Sequence, residues 1–237
     1  MRKRLWLLGL VAIVAGLIAI RIIAPREQPT DLDAPTCAEG PTTPGIDVSY
    51  HQDTIEWSKV HRAGIKFAFI RVSDGLIVDD PEFTRNWANA RAAKVARGAY
   101  QFFRPEANAI AQADKLIAAI ADDEGELPPA IDVEVTGGLR PAQIAKQVTL
   151  WIDRVRSRLG VEPIVYTSPD FWRDAVGSAD LSSQPLWIAH YTKDCPRVPA
   201  PWTRWTFWQY SKTGRVPGIK GHVDLNVYQG QMKSMTK

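Results

Sequence analysis

From Gly45 to Val176 the chain alternates between two hydrophobic periods. Gly45-Ile46-Asp47-Val48-Ser49-Tyr50 repeats in steps of two, as a half-buried strand does, and Ile55 to Ala63 follows with the longer period of an amphipathic helix. Lys66 to Val72 is a nearly continuous apolar strand, and Pro81 to Val95 has helical composition. Gly98 to Phe103 reads as a third strand and Ala107 to Ile120 as an Ala-rich helix. Ile131 to Val135 is a fourth strand. Pro141 then stands at the first turn of a long helix that runs to Leu159 and closes at Gly160. Pro163 to Tyr166 is the fifth strand, with a short helix from Pro169 to Val176.

After Val176 the helical period disappears. Leu186 to Tyr191, Trp205 to Tyr210 and Val223 to Tyr228 are strands joined by loops. Strands alternating with helices imply parallel βαβ units, and apolar strands of this kind imply a sheet covered on both faces. Five such units and three more strands make eight, the number that closes a small barrel. The predicted fold is α/β, an irregular eight-stranded TIM-like barrel with about five helices, (β/α)5(β)3. It would fill residues 45–230, with a polar tail at 231–237.

Upstream the pattern is different. Met1-Arg2-Lys3-Arg4 precedes an apolar run of 16 residues, Leu5 to Ile20, followed by Arg21 and Ile22-Ile23-Ala24. A basic start before such a run marks an export signal, cleaved or retained. Counted through Ala24, with Arg21 snorkelling, the run approaches the ~20 residues that a membrane span needs. No small-x-small cleavage site stands just after it, so residues 1–24 read as a signal-anchor, with a cleaved signal peptide as the alternative. The basic residues would stay in the cytoplasm and the body would face outward. That places the protein in the cell envelope or periplasm, anchored to the inner membrane by residues 5–24, or secreted if the leader is removed. Residues 25–44, with Pro25, Pro29, Pro35, Pro41 and Pro44, read as an extended linker.

The leader also explains the net charge of +3: residues 1–26 hold five basic residues and no acid, leaving 24 basic against 26 acidic. A nearly neutral body lacks the basic stripe of a nucleic-acid groove, so no nucleic-acid partner is expected. An apolar fraction of 45% and nine tryptophans indicate a packed globular body. Cys37 and Cys195 permit one disulfide in an exported protein, tying the segment before the first strand to a late loop; two unrelated thiols are the alternative. With no histidine cluster they give no zinc signal, and neither metal nor cofactor is expected.

The candidate chemistry lies in the fourth strand. Asp132 and Glu134 are two apart, so a strand turns both to one face while Ile131, Val133 and Val135 turn to the other. Paired carboxylates on an apolar strand raise one another's pKa, leaving a protonated acid beside an ionised partner, the equipment that glycoside hydrolysis needs. The plain alternative is a strand end with its acids in water. Against it stand Asp47, late in the first strand, and Asp224, in the last: first and eighth strands are neighbours in a closed barrel, so these acids would meet at the mouth opposite strand four. Trp205, Phe207 and Trp208 are read as packing residues. His51, His61, His190 and His222 lack metal spacing, though His51 and His190 follow barrel strands and could sit at the rim. Ser49 has no nucleophile elbow to support a triad.

The ordered set Gly45-Ile46-Asp47-Val48-Ser49, Gly98-Ala99-Tyr100, Ile131-Asp132-Val133-Glu134, Leu186-Trp187-Ile188-Ala189, Trp208-Gln209-Tyr210 and Val223-Asp224-Leu225-Asn226 resembles family 25 glycoside hydrolases, the Chalaropsis-type lysozymes. The resemblance implies an irregular α/β barrel that hydrolyses the β-1,4 bond from N-acetylmuramic acid to N-acetylglucosamine in peptidoglycan strands. By motif, it implies Glu134 as general acid and Asp132 as its partner. Asp47, Asp224, Tyr100, Tyr166, Trp187 and Gln209 would be substrate-binding residues. Asp132 would either attack the anomeric carbon or orient the substrate's acetamido group to do so. Gln101 departs from the pattern, since many relatives have histidine there; it can bond but not titrate, which bears on substrate contacts more than on the proton donor. A monomer is expected. The competing functions are a non-catalytic, membrane-tethered peptidoglycan-binding barrel, or a hydrolase of another N-acetylated glycan such as chitin.

Overall fold

The computed structural model describes residues 35–177 and 179–231. The leader and the first part of the linker lie outside them, as does most of the polar tail. Among the described residues no helix is long and apolar enough to cross a membrane.

The strands and helices follow in the order β1 (Thr42–Val48), α1 (Trp57–Arg62), β2 (Phe67–Asp74), β3 (Val78–Asp79), α2 (Phe83–Ala92), β4 (Ala96–Phe102), α3 (Ala109–Ala119) and β5 (Ala130–Asp132). Then come α4 (Pro141–Leu159), β6 (Ile164–Thr167), α5 (Pro169–Phe171) with a π-helical turn over Trp172–Val176, β7 (Leu186–Ala189), β8 (Phe207–Gly214) and β9 (Val223–Gln229). The sheet runs β1-β9-β8-β7-β6-β5-β4-β2 and closes where β1 pairs with β2, while β3 is a two-residue strand outside the ring. Eight strands therefore close the barrel, as the pattern predicts. Two features differ from it. Strand β1 starts at Thr42, inside the predicted linker, because Thr42 to Pro44 pair with Gln229 to Val227. Strand β9 runs antiparallel to both β8 and β1, so the ring is parallel only from β1 through β8.

Period-two alternation builds two cores. Phe67 and Phe69 of β2 turn into the barrel, joining Tyr100, Tyr166, Trp187, Phe207 and Tyr228. Ala68, Ile70 and Val72 of the same strand turn outward and pack with the helices. Each buried large side chain contributes roughly 1.5–3 kcal/mol relative to exposure. The glycines of the first and third predicted strands make room for the inner core: a Cβ at Gly45 would fall on the Phe67 ring, and one at Gly98 on the Phe69 ring.

Helix α4 shows how local sequence sets an outer element. Pro141 opens it without losing a helical hydrogen bond, and Gly160 closes it in the left-handed conformation at φ 68°. Its buried stripe Ile144, Val148, Trp151, Ile152 and Val155 recurs at helical spacing and faces the sheet. Cys37 and Cys195 are joined in a disulfide. Around it, Thr36 N donates to Pro196 O at 2.8 Å and Trp205 Nε1 donates to Thr36 O at 2.7 Å.

Candidate active site

Strand ends place the acids. Asp47 is the penultimate residue of β1 and Asp132 the last of β5, so both stand where parallel strands leave the barrel. The strand ends at Asp132, and Glu134 lies just beyond it, exposed at the rim. Asp224 is the second residue of β9 and pairs directly with Asp47. It reaches the same end of the barrel from the start of its strand because that strand is reversed. The side-by-side placement with Asp47, expected of the first and last strands of a closed barrel, therefore stands although β9 is antiparallel.

These four acids line one cleft of about 270 Å³, together with Tyr100, Phe102, Tyr166, Trp187, Gln209, Arg71, Ser49, Gln52 and His51. All eight residues singled out as catalytic or substrate-binding thus meet there. Trp187 forms floor, not rim: it is 1% exposed and stacked on Phe69 at 4.3 Å between ring centroids. Its Nε1 donates to Asn226 Oδ1 at 2.7 Å, and Asn226 Nδ2 donates in turn to Asp47 Oδ2 at 2.7 Å. Gln209 Nε2 donates to the same Asp47 oxygen at 2.8 Å, while its Oε1 accepts from Tyr166 at 3.0 Å and from Tyr191 at 2.8 Å. Gln209 is the hub that orients Asp47 and two tyrosines.

Burial raises every acid in the group, and a neighbouring carboxylate adds to it for Asp47, Asp132 and Glu134. Asp47 is pushed up to about 8, first by burial and then by Asp224, against the opposing hydrogen bonds from Asn226 and Gln209. Burial, then Glu134 and Asp47, push Asp132 well above the usual carboxylate range, and its Oδ1 is buried without a hydrogen-bond partner. Glu134 is raised by burial of its carboxyl against the cleft and by Asp224, with Arg104 opposing. Asp224 is raised by burial, against a hydrogen bond with Asp47 and then the charge of Lys212. Crowded carboxylates of this kind cannot all ionise together near neutral pH, so the cleft retains protons.

Gln101 is not in the cleft. It is fully buried on the opposite face of β4 from Tyr100, donating to Ser73 Oγ at 2.8 Å and accepting from Trp151 Nε1 at 2.8 Å. Strand alternation turns it toward α4, so its expected bearing on substrate contacts is withdrawn. His51 lines the cleft, whereas His190 Nδ1 accepts from Arg197 N at 3.0 Å away from it. Sequence reasoning passed over Arg71, Asn226 and Tyr191. One of these carried a signal: Asn226 shares the face of Asp224 two positions along the same strand.

An acidic cleft at the mouth of an α/β barrel, floored by aromatic rings, defines a glycoside-hydrolase type of protein. The family model described as glycosyl hydrolases family 25 matches residues 46–219. The chain belongs to that family. Lysozyme M1 of Streptomyces globisporus is 37% identical over 198 residues, covering 78% of this chain and 67% of the relative. The N,O-diacetylmuramidase of Chalaropsis sp is 29% identical, covering 77% of this chain and 96% of the relative. Among solved structures, the bacterial lysozyme from Streptomyces coelicolor superposes with a TM-score of 0.76 at 34% identity, covering 81% of this chain and 94% of that one.

Proposed function

We propose that this protein is a peptidoglycan muramidase that hydrolyses the β-1,4 bond between N-acetylmuramic acid and N-acetylglucosamine. Membership of family 25, with relatives named lysozyme and muramidase, supports the activity. The observation that carries the chemistry is the convergence of four carboxylates with raised pKa values on one sugar-sized cleft. Glu134, exposed at the rim, is the residue we assign to protonate the glycosidic oxygen and later to activate water. Asp132 is its partner. Its deeper burial makes it the better proton holder in the free protein. An acetamido N–H donated to the Asp132 carboxylate would favour the ionised form and leave the pair's proton with Glu134. The acetamido group of the substrate and the two-residue spacing of Asp132 and Glu134 favour the route in which Asp132 orients that group for attack over direct attack by Asp132 itself. Asp47 and Asp224, with Gln209, Tyr100 and Tyr166, bind the sugar, over the floor formed by Trp187.

The test is digestion of purified peptidoglycan and of chitin, followed by mass analysis of the new ends. Muramic acid at the new reducing end is expected; N-acetylglucosamine there, or cleavage of chitin alone, overturns the assignment. An initially inverted anomer would exclude both retaining routes. Export through residues 1–24, with the segment retained as an inner-membrane anchor, is the localisation we infer from the basic start and apolar run of the leader. Fractionation of the full chain checks it: recovery of the leader-bearing protein with membranes is expected, and a shortened soluble form refutes the anchor.

A further inference from the structure

Beside the cleft, the hairpin that joins β2 to β3 carries three consecutive aliphatic residues into solvent. Ile77 is 92% exposed, Val78 45% and Leu76 37%. Tight turns ordinarily hold glycine, asparagine, aspartate or serine, so an aliphatic tip is unfavourable unless something covers it. The tip is also held in place. Lys115 Nζ, from α3, donates to Leu76 O at 2.7 Å and pairs with Asp79 Oδ1 at 2.7 Å. Gly75 N donates to Phe102 O and Asp80 N to Val72 O, both at 2.9 Å. Asp80 Oδ2 accepts at 3.0 Å from Nε of Arg71, a cleft-lining residue, which ties the hairpin to the cleft. Under the tip lies a groove of about 390 Å³, bounded on its other side by Arg104, Glu106 and Ala107. One wall separates groove from cleft: Phe102 lines the cleft, and the Arg104 guanidinium lies 4.6 Å from the centroid of its ring. Asp74 holds Arg104 there with contacts of 2.6 and 2.7 Å. Glu106 is exposed, and among the described residues it has no ion pair.

We propose that this groove binds the stem peptide of a muramoyl residue held in the cleft, with Leu76, Ile77 and Val78 covering its methyl side chains and Glu106 receiving its free amine. The inference rests on the muramidase reading above and deepens it, by naming the contact made with the part of the substrate that is not sugar. A peptide tied to a sugar in the cleft has to leave over the rim. At roughly 3.3–3.6 Å per residue, even a short one reaches past a wall one side chain thick. Its alanine methyls suit an aliphatic surface, and the side-chain amine of its diamino acid is the charge that an unpaired carboxylate attracts. A bare glycan offers neither group. Because the hairpin is already fixed, covering it costs little further ordering of the protein.

Two substrates that differ only in the peptide provide the test: soluble strands with uncross-linked stem peptides, and the same strands stripped by an amidase that cuts between muramic acid and the first alanine. KM and kcat are measured on both for the parent, for the double variant Ile77→Ser with Val78→Ser, and for Glu106→Gln. The double variant should raise KM ~3–10-fold on peptide-bearing strands, keep kcat, and stay within about twofold of the parent on stripped ones. Acetylating the free amines of the peptides should raise the parent's KM ~2–5-fold, with no further rise in Glu106→Gln. Unchanged KM on both substrates overturns this inference alone. Equal loss on both gives the tip to the glycan or to folding, which a thermal midpoint distinguishes, and overturns it too. Acetylation without effect overturns the role of Glu106. A dimer, or binding to phosphatidylglycerol–phosphatidylethanolamine vesicles, that depends on Ile77 while KM does not would give the tip to a second copy or to lipid, against the proposal. A parent that cleaves neither substrate overturns it together with the function.

Discussion

Asn226 and Gln209 both donate to Oδ2 of Asp47, so that oxygen carries no proton, and the proton retained by the pair sits on Asp47 Oδ1 or on Asp224. The consequence for stability has a definite sign. Asp47 titrates near 3.8 when unfolded and near 8 when folded, so between those values the folded state binds the extra proton. Its stabilising contribution is complete below about 3.8 and is lost as the pH rises through about 8. Asp224→Asn removes the neighbouring charge that adds to burial in raising Asp47 and so should flatten this slope. Urea denaturation at pH 5 and pH 8 is expected to show a smaller difference for the variant than for the parent, by about 1.4 kcal/mol for each pKa unit that the Asp224 charge contributes. Equal slopes would mean that the two acids do not share a proton. For the reaction, Glu134→Gln keeps the size of the side chain but cannot give up a proton. It should lower kcat by ~10²–10⁴-fold and remove the alkaline limb of the pH–rate profile. A variant that loses affinity but keeps kcat would assign Glu134 to binding.

Strands β2 and β4 each serve two masters, the inner aromatic core and the outer helical layer, and their two faces respond differently to change. Gln101 satisfies Ser73 and Trp151 between β4 and α4. Gln101→Leu leaves a buried indole N–H and a hydroxyl without that partner and should cost about 1–3 kcal/mol in denaturant unfolding. KM for peptidoglycan should not move, because the side chain faces away from the cleft; a raised KM would contradict that placement. The same alternation explains what the sequence disclosed. Inward Phe67 and Phe69, the capped helix α4 and the two acids Asp47 and Asp132 follow from periods of two and 3.6 and from where strands end. The direction of β9 does not follow, since alternation reads alike either way along a strand. Strand β3 is two residues long and exposed, too short to carry a period. Arg71 is hidden inside an apolar run whose hydropathy conceals its inward face, and Asp80, which anchors it, looks like one more surface acid after Asp79. Thr42 to Pro44 look like linker because what makes them a strand is the partner β9, far along the chain.

Closure of the barrel joins the two ends of the body, β1 to β9, and a covalent bond repeats that union. The Cys37–Cys195 bridge spans 158 residues of sequence. Beside it, the Thr36 backbone bonds to Pro196 and Trp205, and Pro35 pairs with Arg197. The segment preceding β1 is thus stitched to the loops around β7 and β8, which lack covering helices. A cross-link over so long a loop acts chiefly on the unfolded chain, whose ends it holds together, and is worth typically 2–4 kcal/mol. It also suits an oxidising compartment, in keeping with export. The acids lie on strands held by the sheet, so the cleft should survive without the bridge. Replacing both cysteines by serine should therefore lower the denaturant midpoint by the equivalent of ~2–4 kcal/mol and steepen the denaturant dependence, because the freed chain exposes more surface on unfolding. Hydrolysis at 25 °C should stay within about twofold of the parent. An unchanged midpoint and slope would mean that sheet pairing alone holds the ends in both states. A large loss of activity with the midpoint retained would mean that the stitch positions the cleft as well as the closure, and would make the loops after β7 part of the site.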